Sequence, residues 1–218
     1  MAKNKPKIIS VIMCGGKSSR MKKHYQTEKT MIKLGNKRMV EYILDSLKNS
    51  DCFFKIVLNT TKNTTRTQSF ILKKYKKYVP DIEFCETTGE GYALDLRSLI
   101  MKYSNSIIFV VSADLPLLST HDIKNILRTC KFQYPCNSII IEKHFVESLG
   151  IKPSVSFIYR NKEYCYSGIG IFNPTKIRDL ENNVPERFII QNQIGVAVNV
   201  NEKTDLEVAK RIIQGRSI

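Results

Sequence analysis

The sequence has no apolar run long enough to cross a bilayer. Its longest, such as Ile107 to Val111, has the length of a buried strand. It also has no C-x-x-C pair. Its six cysteines (Cys14, Cys52, Cys85, Cys130, Cys136, Cys165) are scattered, which argues against a zinc site or a disulfide framework. Several lie in or beside apolar segments, where a free thiol behaves as a small hydrophobe. Histidine is scarce, and His24, His121 and His144 share no metal-ligand spacing. Two common nucleotide fingerprints are missing as well. Gly16-Lys17-Ser18 looks like the end of a P-loop, but Val11 stands where that motif needs its first glycine. A G-x-G-x-x-G turn is excluded because Gly15 and Gly16 are adjacent. Neither a P-loop ATPase nor a nicotinamide-dependent dehydrogenase fits.

Internal repeats, low-complexity tracts and domain-dividing linkers are absent too, so the 218 residues are expected to form one domain. With 42% hydrophobic and 25% charged residues, the composition is that of a globular chain with a real core. The opening Met1-Ala2-Lys3-Asn4-Lys5-Pro6-Lys7 does not read as a signal peptide, and a cytoplasmic address is expected. Acidic residues are outnumbered: 35 Lys and Arg against 20 Asp and Glu leave a formal charge of +15. Such a surplus suits an anionic partner, whether nucleotide, phosphorylated substrate or nucleic acid. It also suits a merely solvated basic surface, as in Lys73-Lys74-Tyr75-Lys76-Lys77-Tyr78.

Strand and helix patterns alternate along the chain. Strands are expected at Ile8 to Met13, Lys55 to Asn59, Ile82 to Cys85 and Ile107 to Ser112. Helices are expected from Met39 to Leu47, Thr67 to Tyr78, Tyr92 to Lys102, and from Ser119 to about Cys130. Ser119 with Asp122, and Thr204 with Glu207, have the spacing of helix N-caps. This order predicts an α/β fold of Rossmann-like form, a mostly parallel sheet with helices on both faces. From Ser138 to Phe172 the pattern turns to short strands and turns without an obvious long helix, and the less regular stretch about 136–193 is expected to form an acceptor or lid region on the same sheet.

Chemistry concentrates where strands end. Cys14-Gly15-Gly16-Lys17-Ser18-Ser19-Arg20-Met21 follows the first strand directly. The glycine pair lets the backbone turn sharply and bring amide groups close to a phosphate. Arg20 adds a planar fork of donors, and Lys29 a point charge. Asp114 follows the most apolar strand, at the sheet edge where open α/β folds bind ligands. Its carboxylate suits Mg²⁺ bridging triphosphate oxygens. It also suits a plain turn before Pro116. A third cluster, Thr88-Gly89-Glu90-Gly91, could wrap a base or ribose edge at a strand-to-helix turn.

These residues resemble the signature of the nucleotidyltransferase superfamily, which opens with a strand and a G-G-x-x-x-R-M loop followed by a lysine: Gly15, Gly16, Arg20, Met21 and Lys29. The resemblance implies catalytic roles for Arg20, Lys29 and Asp114. It implies nucleotide contacts from Cys14 to Arg20, at Lys29 and from Thr88 to Gly91. It also implies a second metal ligand on a late strand, for which Asn201 is the best match and Asn199 the fallback. With Glu28, the segment Thr88 to Leu96, Ser167-Gly168-Ile169-Gly170 and the closing helix, the chain looks like the archaeal GTP:adenosylcobinamide-phosphate guanylyltransferase family. That likeness implies GTP as donor, Mg²⁺ as cofactor and adenosylcobinamide phosphate as acceptor, in cobalamin biosynthesis. The sequence departs from the family at Lys22, where glycine is usual, and in a longer stretch over 22–27 that carries His24 and Tyr25. Molybdenum cofactor guanylyltransferases and sugar-phosphate nucleotidyltransferases share the first loop and the aspartate. A basic nucleic-acid-binding protein would explain the charge but neither Gly15–Arg20 nor Asp114.

Overall fold

The first strand, β1 (Ile8–Met13), is β-branched and apolar because both of its faces are covered. Ile9, Val11 and Met13 join one core cluster and Ile12 joins the other, on the opposite side of the sheet. This description rests on a computed structural model and covers residues 7–15, 25–75, 81–153, 155–180 and 184–215. A 3₁₀ turn (Lys29–Met31) and a small hairpin, β2 (Lys33–Leu34) with β3 (Lys37–Arg38), lead into α1 (Met39–Ser50). Met39, Val40, Ile43, Leu44 and Leu47 form its buried stripe. The chain then alternates through β4 (Lys55–Thr60), α2 (Thr65–Lys74), β5 (Ile82–Glu86), α3 (Tyr92–Lys102), β6 (Ile107–Ser112) and α4 (Thr120–Thr129).

The stretch from about 136 to 193, expected to be less regular, supplies strands of the main sheet. It contains β7 (Cys136–Glu142), α5 (Lys143–Ser148), β8 (Ser156–Tyr159), β9 (Lys162–Phe172) and β10 (Glu186–Ile190). A one-turn helix, α6 (Ile194–Ala197), and α7 (Lys203–Ile213) close the described chain. The sheet order is β10-β7-β9-β6-β1-β4-β5, with β8 paired to β9. All neighbours run parallel except along β9, which is antiparallel to β6, β7 and β8. The mostly parallel α/β expectation therefore holds. Helix α3 covers one face through Leu99 and Ile100, while α1, α4 and α7 cover the other.

Two local expectations need correction. The residues around Asn199 form no strand. The chain passes from α6 through an irregular segment anchored by Val200 N, which donates to Asp114 O at 2.8 Å. The last helix is not started by Thr204 and Glu207 either. Asp205 Oδ2 accepts the amides of Asn201 and Glu202, both at 2.8 Å, because a carboxylate three residues past the N-cap reaches back to it. At α4 the expected cap is in place: Ser119 Oγ accepts Asp122 N at 3.1 Å and Asp122 Oδ2 accepts Ser119 N at 2.9 Å.

Candidate functional site

The strand order reverses at β1. β4 and β5 extend the sheet one way, and β6 lies on the other side of β1. Open α/β sheets bind ligands in the crevice at such a switch point, beyond the carboxyl ends of the strands. Cys14 and Gly15 leave β1 there and Asp114 leaves β6 there, tied together by Ala113 N donating to Met13 O at 3.2 Å.

Three residues that lie far apart in the chain meet at this edge. Lys29 Nζ donates to Asp114 Oδ2 at 2.6 Å and to Asn201 Oδ1 at 2.9 Å. Asn201 Nδ2 donates in turn to Asn199 Oδ1 at 3.0 Å, so both asparagines expected from sequence converge here. The Lys29 and Asp114 side chains are only 14% and 16% exposed. The second carboxylate oxygen, Asp114 Oδ1, is buried without a hydrogen-bond partner among the described residues. A buried anionic oxygen with no donor is costly. An ammonium already lies between Asp114 and Asn201. The donor set, one carboxylate and amide oxygens beside a spare buried oxygen, therefore fits a hard cation. Among the described residues there is no cluster of three or more His, Cys, Asp or Glu that could hold a metal ion. A cation here would need oxygens from a bound phosphate to complete its shell, as Mg²⁺ commonly does.

A second group surrounds Gly15. A Cβ there would come within 2.7 Å of Thr61 Cγ2, so close approach requires glycine. Gly89 has φ +71° and its amide donates to Asp95 Oδ1 at 3.0 Å. A Cβ at Gly89 would meet Thr61 at 3.1 Å, so Thr61 separates the two glycine turns. Gly91 has extended backbone and open space around it, so neither conformation nor crowding demands glycine there. Glu90 is exposed, and its amide donates weakly to Thr88 Oγ1 at 3.4 Å. Cys14 is buried; burial, then the Glu28 carboxylate, push its thiol up to about 12. It is a packing thiol rather than a nucleophile. Gly16, Lys17, Ser18, Ser19, Arg20 and Met21 lie outside the described residues.

Several side chains at the site were not singled out by sequence. Asn59, one residue before the end of β4, is buried, with Nδ2 donating to Thr87 Oγ1 at 2.7 Å and Oδ1 unpartnered among the described residues. Thr61 and Asp95 are buried beside it. Asp95 lies in the segment Thr88 to Leu96 that carries the resemblance, whereas the one sequence signal of Asn59 and Thr61 is polarity at the end of an apolar strand. The basic run after Ile71 is partly packed away: Tyr75 is buried and donates to Asp45 Oδ1 at 3.0 Å, and Lys74 pairs with Glu41. A ring so held is not free to stack on a base.

Two cavities open beyond this edge. One of about 560 Å³ runs from Asn199 and Asn201 past Ser167 to Val146 and Ile151. The other, about 350 Å³, lies between α3 and strands β7 and β9, and Tyr92, Tyr166 and Gly168 border both. Among the described residues no helix is long and apolar enough to cross a membrane.

Over residues 10–153 the chain matches the family model described as MobA-like NTP transferase domain. None of the curated proteins compared matches it. It resembles 4-diphosphocytidyl-2C-methyl-D-erythritol synthase from Anaerococcus prevotii with a TM-score of 0.65 and 15% identity, covering 96% of each chain. It resembles the bifunctional IspDF of Campylobacter jejuni with a TM-score of 0.63 and 16% identity over 93% of this chain, but spans only 54% of that one. A CMP:2-keto-3-deoxy-manno-octonic acid synthetase complexed with CTP matches with a TM-score of 0.65 and 12% identity, covering 96% of this chain and 99% of that one. At these identities the likeness is one of fold.

Proposed function

Because the chain belongs to the MobA-like NTP transferase domain family and is therefore a nucleotidyltransferase, we propose that it transfers GMP from GTP to adenosylcobinamide phosphate and releases pyrophosphate. The observation that carries the phosphoryl chemistry is the meeting of Lys29, Asp114 and Asn201 at the switch point of the sheet. The resemblance centred on residues 88–96 supports guanosine and the cobinamide acceptor. The cavity of about 560 Å³ reaching inward from Asn199 and Asn201 has room for the phosphate-bearing arm of such an acceptor, with the corrin ring outside it.

A phosphate monoester is already anionic near neutral pH, so its oxygen attacks the α-phosphorus without a strong general base. The bond to the β-phosphate oxygen breaks as the new P–O bond forms, in line. The protein's task is to position the reactants and neutralise charge. Amides from the Gly15 turn and the fork of Arg20 bind the triphosphate in this reading. Displaced from Asp114 and Asn201 as the cation binds, the Lys29 ammonium turns to phosphate oxygens and donates to them as negative charge shifts to the leaving pyrophosphate. Asp114 and Asn201 would hold a divalent cation, Mg²⁺ in this reading, which when bound neutralises triphosphate charge. The strands and cavities within 136–193 serve as the acceptor region.

The test is a nucleotide panel. Pyrophosphate release is measured with GTP, ATP, CTP and UTP, each alone and with cobinamide phosphate, molybdopterin or a sugar phosphate. Release that requires both GTP and cobinamide phosphate is expected. Release that follows a different acceptor reassigns the substrate within the same chemistry. No release with any combination overturns the reading.

A further inference from the structure

Glu28 has no part in the transfer as described above, yet its carboxylate, one residue before Lys29, accepts three hydrogen bonds. Its Oε1 accepts Arg66 N at 2.7 Å, and its Oε2 accepts Thr67 N at 2.7 Å together with the Thr67 hydroxyl. These amides belong to the first turn of α2, whose own N-cap residue, Thr64, provides no side-chain cap. The Thr64 hydroxyl is engaged instead with Thr61, accepting from its amide at 2.8 Å. Helix α2 is therefore capped by a carboxylate from another segment, 38 residues earlier. The favourable charge at a helix N-terminus adds to those bonds.

The same residue also starts the turn that carries Lys29. Glu28 is the N-cap of the 3₁₀ turn Lys29–Met31, and its carbonyl accepts Met31 N at 2.9 Å. The attachment is reinforced by a 2.6 Å hydrogen bond between the Thr30 and Thr67 hydroxyls, both buried, and by Arg66 Nη1 donating to Gln26 O at 3.3 Å. Residues 26–30 are thus stapled to α2, while Lys29 projects from that staple to Asp114 and Asn201.

We propose that Glu28 is a positioning residue: by capping α2 with its side chain and the Lys29 turn with its backbone, it sets where the Lys29 ammonium stands. The proposal rests on the reading that Lys29 serves the transfer. A flexible four-carbon side chain keeps its head in place only if its backbone is fixed. Misplacement of a charge-neutralising group by about 1 Å costs on the order of a hundredfold in rate.

The experiment compares Glu28→Ala, Glu28→Gln, Thr67→Val and Lys29→Ala in the pyrophosphate-release assay. Ser119→Ala, which removes an equivalent cap from α4, controls for a general loss of stability. Glu28→Ala is expected to lower kcat by about tenfold or more with little change in KM for the nucleotide, as befits a group felt mainly in the transition state. Glu28→Gln, which keeps one acceptor oxygen, is expected to recover part of the rate. Thr67→Val should lose rate in the same direction, and it keeps the proposal testable where Glu28→Ala does not fold. A reading independent of the acceptor is amide hydrogen exchange at Met31 and Ile32, expected to rise about tenfold or more in Glu28→Ala and to stay unchanged in Ser119→Ala. Unchanged kcat in Glu28→Ala, or the same loss in Ser119→Ala, overturns the positioning role. An inactive Lys29→Ala beside an active Glu28→Ala overturns this proposal alone. A fully active Lys29→Ala overturns the reading of Lys29 as well.

Discussion

Lys29 holds the place between Asp114 and Asn201 that a divalent cation would take, so removing its charge should improve metal binding while destroying transfer. The perturbation is Lys29→Met, which keeps most of the stem and removes the ammonium. At about 4 Å and an effective dielectric near 20, two unit charges attract by about 4 kcal/mol. The displaced ammonium regains hydration, which offsets much of that. A net advantage of about 1–2 kcal/mol remains, roughly a 5- to 30-fold gain in affinity. The assay is titration with Mn²⁺ in the absence of nucleotide, following the signal of the free ion by electron paramagnetic resonance. A second readout is thermal. Lys29→Met leaves Asp114 without its 2.6 Å partner, at a cost of about 1–3 kcal/mol, less than a fully buried pair because both side chains keep some water. In a chain of this size that lowers Tm by roughly 2–12 °C. Mn²⁺ should restore more of the Tm in Lys29→Met than it adds to the wild type. Equal Mn²⁺ affinity in both proteins, or tighter binding that survives Asp114→Asn, would refute the reasoning.

Other outcomes follow from the same geometry. Asp114→Ala should reduce transfer by about a hundredfold or more while the far-ultraviolet circular dichroism stays unchanged; an active variant sinks the metal assignment. Gly15→Ala sets a Cβ at 2.7 Å from Thr61 Cγ2 and should cost about 1–3 kcal/mol in urea unfolding. Adding Thr61→Ser, which removes the clashing methyl, should recover most of it, and a Gly15→Ala protein as stable as wild type contradicts the packing argument. Burial pushes the thiols of Cys14, Cys130 and Cys136 from 9.0 up to about 12. Between those values the unfolded chain loses thiol protons that the folded chain retains. Stability contributed below pH 9 is therefore lost as pH rises towards 12, by up to about 1.4 kcal/mol per unit for each thiol. Denaturation midpoints at pH 8 and pH 10 measure this, and Cys14→Ala should flatten the slope; a pH-independent midpoint would contradict it.

Much of the fold was legible because it depends on local chemistry. β1 and β6 are nearly continuous apolar runs, broken by Ser10 and by the terminal Ser112, because both faces are covered, and α1 shows its buried stripe at helical spacing. Ser119 and Asp122 cap α4 across three residues, a distance that sequence spacing expresses directly. Failures came where contacts skip along the chain. The short strands from Ser138 to Phe172 were legible, but their place inside the main sheet was not, and Gly168, φ +82°, with the register shift between Ser138 and Ile140 breaks the alternation there. The family resemblance implies a strand at Asn199, but Val198 and Val200 beside it pack into the core from a loop.

The sequence by itself determined that a glycine pair follows the first strand and an aspartate follows the most apolar one, because strand ends and turns are written in neighbouring residues. It could not determine that Lys29 would stand between Asp114 and Asn201, 85 and 172 residues away. Nor could it determine that Glu28 would cap a helix beginning at Thr65. Those meetings exist only once β1, β4 and β6 lie side by side and α2 and α7 are docked against them. Through-space distances of 2.6 to 2.9 Å are set by packing of the whole sheet, and no spacing along the chain encodes them.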